Sequence, residues 1–146
     1  MNIKMTLDPN DPMRKQLESL GIMDDPSSEY QISRICKGVN YIQAKKGDQQ
    51  FYVDVKEIVF IESLAHDILI HTKGEVFNSR ESLRYYETVL DAELFLRISN
   101  SCIINRKQIR RIESSILQKF VLHLSDGSKV DVTRSYYYAF KDAIGI

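Results

Sequence analysis

The chain has 146 residues, 43% of them hydrophobic, with 20 Lys and Arg set against 20 Asp and Glu. That is apolar enough for one domain with a core, and it excludes a disordered chain. No apolar run approaches the roughly 20 residues of a membrane-spanning helix, and the opening MNIKMTLDPNDP lacks the basic-then-apolar order of a secretory leader, so the expected compartment is the cytoplasm.

In chain order, IKMTL (3–7) alternates as a strand does. DPMRKQLESLG from Asp11 reads as a short helix, with Asp11 as N-cap, Pro12 in the first helical position and Gly21 beyond the end. Met13, Leu17 and Leu20 share a face of that helix, which is too short to be stable without cover. DDPSS (24–28) is rich in turn formers and reads as a linker, so an appendage over 1–38 is expected ahead of a main domain over 39–146.

From Tyr41 onward the pattern is one of short strands and turns: YIQAKK, a KGDQ turn, QQFYVDV, EIVFIE, then HDILIHT joined through KG to EVFN. NSRESLRYYETVLD predicts a helix, its start marked by the capping-box spacing of Asn78 and Glu81 and its apolar stripe by Leu83, Tyr86 and Leu90. LFLRIS and SCIIN follow as strands, then a link to KFVLHL. SDGS turns that strand back into KVDVT, with Asp126-Gly127 as a two-residue hairpin signal, and SYYYAFKDAIG closes the chain as a helix stopped at Gly145. Many short strands with two or three small helices make the fold class mainly β.

The neutral total hides an asymmetry. Residues 41–96 carry six basic and ten acidic side chains, whereas residues 97–146 carry nine basic and four acidic, a local field able to attract a polyanion. Five basic residues lie between Arg97 and Arg111. An enzyme reading finds no support: GxSxG, Walker, GxGxxG and HExxH patterns are absent, and His66, His71 and His123 have no metal-ligand spacing. No cofactor, metal or small-molecule substrate is expected. His71 and His123 lie within apolar strands as packed or half-exposed side chains, while His66 stands at a loop tip, where a functional and a plain role are both open. Cys36 and Cys102 form no CxxC and read as small buried hydrophobes. In the Tyr136–Tyr138 run, the recurrence of Tyr136, Phe140 and Ile144 every fourth residue points to core packing rather than base stacking. The RxxxR spacing of Arg106 and Arg110 is shared with PilZ-type cyclic-dinucleotide modules, but the segment HLSDG supplies no [DN]xSxxG partner. A small-ligand β module therefore remains the alternative reading.

Four pieces in order, VKEIVFIES, LFLRISNSCIINRKQI, the SDG hairpin and VTRSYYYAFK, resemble the LytTR family of bacterial DNA-binding domains over residues 41 to 144. The resemblance implies three packed antiparallel β-sheets with short helices, and loops that enter successive grooves of double-stranded DNA at imperfect direct repeats. It implies base contacts by Arg134 and His66 in neighbouring major grooves and by Asn100 at the minor groove between them. Arg134 suits the N7 and O6 of guanine, its plain alternative being an ion pair with Asp131 or Asp142; the alternative for Asn100 is a left-handed turn residue. Arg97, Ser99, Ser101, Arg106, Lys107, Arg110 and Lys129 read as phosphate contacts that position without reading sequence. Ser99 stands where the family commonly has histidine, which looks like a subgroup of small stand-alone members; a simple strand-end turn is the other reading.

A receiver domain needs roughly a hundred residues ahead of the DNA-binding part, so control is expected from elsewhere. The stand-alone subgroup implies a membrane-bound inhibitory protein. The Met13-Leu17-Leu20 face is expected to meet that partner, a second copy in a homodimer, or the chain's own β domain.

Overall fold

The computed structural model describes residues 1–33 and 38–146, so the reading of Cys36 lies outside the described residues. The chain divides into two compact units, Met1–Cys36 and Lys37–Ile146.

In the first unit, β1 (Asn2–Met5) lies between β2 (Met23–Asp24) and β3 (Gln31–Ile32), paired parallel to both. Helix α1 (Pro12–Ser19) starts as its sequence dictates: Asp11 accepts the Met13 N–H at 2.9 Å and Pro12 fills a position that needs no donor. Ile3, Met5 and Leu7 are buried, whereas Met13 and Leu20 stay 43% and 76% exposed. DDPSS is no free linker. Asp24 accepts the Met5 N–H at 3.0 Å and pairs with Arg14 at 2.7 Å, and Asp25 accepts both the N–H and the hydroxyl of Ser27. These donors hold both carboxyls below the usual range, the Met5 N–H first for Asp24 and the Ser27 hydroxyl first for Asp25.

The second unit begins with a hairpin of β4 (Tyr41–Lys46) and β5 (Gln49–Asp54), whose two-residue turn places Gly47 at φ 62. A 3-10 turn, Val55–Glu57, leads to β6 (Ile58–Leu64), β7 (Asp67–Thr72) and β8 (Val76–Ser79). Helix α2 (Leu83–Val89) follows, then β9 (Phe95–Ser99) and β10 (Cys102–Asn105). After a 3-10 turn, Arg106–Gln108, come β11 (Ile109–Ser115), β12 (Lys119–Leu124) and β13 (Lys129–Val132). A 3-10 turn, Arg134–Tyr136, and helix α3 (Tyr137–Ile144) complete it.

The architecture is mainly β. In this unit one seven-stranded antiparallel sheet runs β5-β4-β8-β7-β6-β10-β9 and a second runs β11-β12-β13; the third sheet of the chain is the parallel one in the first unit. Lys45 and Asn78 form the single bridge between β4 and β8, and the first hairpin is joined to the rest of the unit mainly through the core that Ile42, Ala44 and Val53 share with Ile70 and Phe77.

Three local expectations need correction. Asn78 belongs to β8, and α2 is capped by Ser82, whose hydroxyl accepts the Tyr85 N–H at 3.1 Å. The segment taken as a link before KFVLHL contains β11. The SDG turn has three residues between Leu124 and Ser128, with Gly127 at φ 88 donating to the Leu124 carbonyl at 3.0 Å.

The central strands are buried on both faces, which explains apolar runs such as IVFI and CII. Ile58, Ile61, Ile70 and Ile103 pack with Leu83 and Tyr86 of α2; Val59, Ile98 and Ile104 pack with Phe120, Leu122 and Phe140 of the second sheet and α3. Gly38 closes the start of the unit at φ +93, where a Cβ would stand 2.6 Å from the Asp91 nitrogen and 2.8 Å from the Val89 carbonyl. The strands therefore run through the interior and present their turns at two opposite ends.

Candidate nucleic-acid interface

Three turns gather at one end. The first joins β6 to β7: Leu64 pairs with Asp67, leaving Ala65 at φ 55 and an exposed His66 at the tip. His66 makes no hydrogen bond or ion pair among the described residues.

The second joins β9 to β10, where Ser99 pairs with Cys102 around Asn100 and Ser101. Ser99 is only 6% exposed, and its hydroxyl accepts the Ser101 N–H at 3.1 Å. It builds the turn, the geometry of the strand-end reading. Asn100 and Ser101 are exposed, and Asn100 does not adopt a left-handed backbone. Arg97 donates from Nε to the Ser99 carbonyl and from Nη2 to the Asn100 carbonyl, each at 2.7 Å, and pairs through Nη1 with Glu87 of α2.

The third turn follows β13. The Thr133 N–H donates to the Ile98 carbonyl at 3.0 Å, fixing the second sheet beside β9. Arg134 is exposed and forms no salt bridge with Asp131 or Asp142, and the Tyr136 hydroxyl, two residues on, donates to Asn100 Oδ1 at 3.4 Å.

Register brings these turns together. Cys102 pairs with Glu62, and the Ser63 N–H donates to the Ser101 carbonyl at 2.8 Å, so the His66 and Asn100 turns cap adjacent hairpins. Their midlines are two strand spacings apart, roughly 10 Å. Imidazole, amide and guanidinium thus stand on one end; among the described residues the imidazole and the guanidinium have no partner, while the amide oxygen accepts from Tyr136.

Arg80 joins them although sequence reasoning passed it over. Ser79 pairs with Ile68, so the exposed Arg80 emerges beside the His66 turn with no ion pair among the described residues. The usable signal was its place directly after a strand, masked by the acidic balance of residues 41–96. The β11–β12 turn, with Ile116 fully exposed, lies at this end too, since Phe120 pairs with Val132 next to Thr133.

Arg106, Lys107, Arg110 and Lys129 are not brought to that end. Arg106 and Lys107 follow β10, a strand of four residues or roughly 13 Å, on the side away from Asn100. The Arg106 guanidinium is half-buried, donating to the Glu93 carbonyl and to the Ala143 carbonyl at the end of α3. Arg110 donates to the Lys107 carbonyl at 3.2 Å, and Lys129 pairs with His123 near the far turn. With Arg106 drawn inward, Arg106 and Arg110 form no joint anion clamp.

The remaining reactive groups are occupied. Cys102 is buried and its thiol is pushed up to about 12 by that burial, so it stays protonated at neutral pH. His71 stacks on Phe60 at 4.0 Å and bonds Glu62 at 2.8 Å, while His123 meets Glu113 at 3.2 Å. Among the described residues no group of three or more His, Cys, Asp or Glu could hold a metal, and no helix is long and apolar enough to cross a membrane.

Fold and site define a mainly β module with a polar end built from turns. The chain belongs to the LytTR family: residues 48–145 match the LytTr DNA-binding domain. Over 102 residues it is 29% identical to the sensory transduction protein LytT of Enterococcus faecalis (strain ATCC 700802 / V583), covering 69% of this chain and 42% of that protein. Over 77 residues it is 35% identical to the transcriptional regulatory protein LytR of Staphylococcus aureus (strain N315), covering 53% of this chain and 31% of that protein. The chain thus spans less than half the length of these relatives. A solved LytTr DNA-binding domain from Bacillus cereus shares its fold with a TM-score of 0.72 at 23% identity, over 75% of this chain and all of the other. The family is one of DNA-binding domains found in transcription regulators, not of enzymes.

Proposed function

We propose that this chain regulates transcription in the cytoplasm by binding double-stranded DNA at direct repeats, using the end that carries His66, Asn100 and Arg134. The observation that supports this reading most directly is the convergence of three turns at one end, two of them bearing a polar side chain with no partner among the described residues. Arg134 would donate two bonds to a guanine in the major groove, a contact typically worth about 1–3 kcal/mol of discrimination. His66 would read the neighbouring major groove and Asn100 the minor groove between them. Ser101 and Arg80 would hold phosphates at the edges of the contact. Lys107, Arg110 and Lys129 stand at the opposite end and contribute only to the general field.

The resemblance and the exposed Met13 and Leu20 also motivate a partner for α1, either a second copy or an inhibitory membrane protein. Removing residues 1–28 should then change the oligomeric state or the partner binding measured by sedimentation and pull-down. A selection from random duplexes with purified protein tests the main reading: a preferred repeated motif, bound with affinity that falls steeply with salt, is expected. Uniform recovery of all sequences would overturn it.

A further inference from the structure

We infer that Arg97 is a positioning residue, which holds the Asn100 turn in its reading geometry with Glu87 of α2 as anchor, and not a contact to DNA. The inference rests on the DNA-binding reading of that turn.

The guanidinium serves three partners in three directions: the Ser99 carbonyl and the Asn100 carbonyl, both at 2.7 Å, and the Glu87 carboxylate. Two successive carbonyls gripped by one rigid planar fork fix the orientation of both peptide units, something the flexible point charge of a lysine does not do. The turn is held from its other side by the Ser99 hydroxyl, which accepts from Ser101, and by the Ser63 N–H, which donates to the Ser101 carbonyl at 2.8 Å. Arg97 completes that grip on the one residue, Asn100, whose side chain points outward to the Tyr136 hydroxyl. Through Tyr136 the same strut reaches the 3-10 turn that carries Arg134. Groups fixed before they meet DNA lose less freedom on binding, and this is how a residue that touches no base raises discrimination.

Charge argues against a phosphate role. Three of the five guanidinium donors already have acceptors, and Glu87 neutralises the cation, so an approaching phosphate would meet a carboxylate as well.

The two roles predict opposite outcomes. Full-length protein, Glu87→Ala and Arg97→Lys are titrated by fluorescence anisotropy against the selected duplex and a scrambled one, at several salt concentrations, with a thermal melt of each variant. Position 87 is exposed on a helix that favours alanine, so that variant retains the fold. Both variants should lower the ratio of scrambled to selected dissociation constants by about tenfold, with affinity for scrambled DNA and the salt slope nearly unchanged. Tighter binding of both duplexes by Glu87→Ala, or an undiminished ratio in Arg97→Lys, overturns the strut. A wild-type protein with no preference between duplexes overturns the DNA reading together with it, whereas a preference that survives both substitutions overturns the strut alone.

Discussion

The two ends of the central strands are built from similar side chains put to different uses. At the end bearing Asn105, polar groups turn inward: Asn105 is buried and donates to the Ile58 carbonyl at 2.8 Å while accepting the Lys107 N–H at 3.0 Å. Gln108 is buried, its Oε1 accepting the Ser125 hydroxyl and its backbone carbonyl the Ser125 N–H, and Arg106 caps the carbonyl end of α3. At the end bearing Asn100, the backbone is the part that is held, by Arg97, Ser99 and Ser63, and the side chains of His66, Asn100 and Arg134 project. One end uses asparagine and arginine to close a fold; the other uses backbone bonds to leave the same residue types available.

The largest effect that would test this contrast is on stability. Asn105→Ala leaves the Ile58 carbonyl and the Lys107 N–H without their buried partner, a loss of about 3 kcal/mol by chemical denaturation, with sequence preference retained in the folded fraction. A small loss of stability would mean that this end is not the structural one. Gly38→Ala tests the base of the same unit: the positive φ and the backbone atoms within 3 Å of the new Cβ predict a loss of roughly 1–3 kcal/mol. Arg134→Ala should behave oppositely, with melting unchanged and discrimination at one half-site reduced by about 2 kcal/mol, or roughly thirtyfold, in a competition assay. An equal loss on all sequences would make Arg134 a phosphate anchor instead.

How far this was legible in the sequence differs by region. Strands with strict alternation or continuous apolar runs, such as YIQAKK and EIVFIE, and the Asp11-Pro12 helix start are visible because a single local rule sets them. Two-residue strands such as Met23–Asp24 have no period to show, and β11 hid for a related reason: a register shift between Ile109 and Arg111 spaces its apolar residues three apart. His66, Asn100 and Arg134 were named through family resemblance, and only strand pairing places them at one end. Which end each cation occupies was illegible. Counting charges along the chain merges Arg97 with Arg106 and Lys107, whereas the four residues of β10 carry them to opposite poles.

A smaller effect comes from acid. Glu113 is held below the usual carboxylate range first by its bond to His123 and then by Arg111. A depressed folded value means that its contribution is complete above 4.5 and is lost as pH falls through the lower folded value. Melting of the wild type should therefore fall more than that of Glu113→Gln over that acid range, and by little, because the group is exposed. Parallel curves for the two proteins would show that the His123 bond does not differ from solvent.

The smallest expected effect is the one that separates field from contact. Lys107 and Lys129 are exposed cations, so a count of charge treats them as equals of Arg80. Each phosphate contact contributes about 0.9 to the slope of log affinity against log salt. Lys107→Ala combined with Lys129→Ala should leave that slope unchanged and weaken binding less than about threefold, since a charge beyond roughly one Debye length, near 8 Å in physiological salt, is largely screened. Arg80→Ala alone should lower the slope by about one unit. A reversed pattern, with the lysine pair lowering the slope by two and Arg80 silent, would place the duplex along the flank of the second sheet, and the inward-turned end would then have to be read as part of the binding surface.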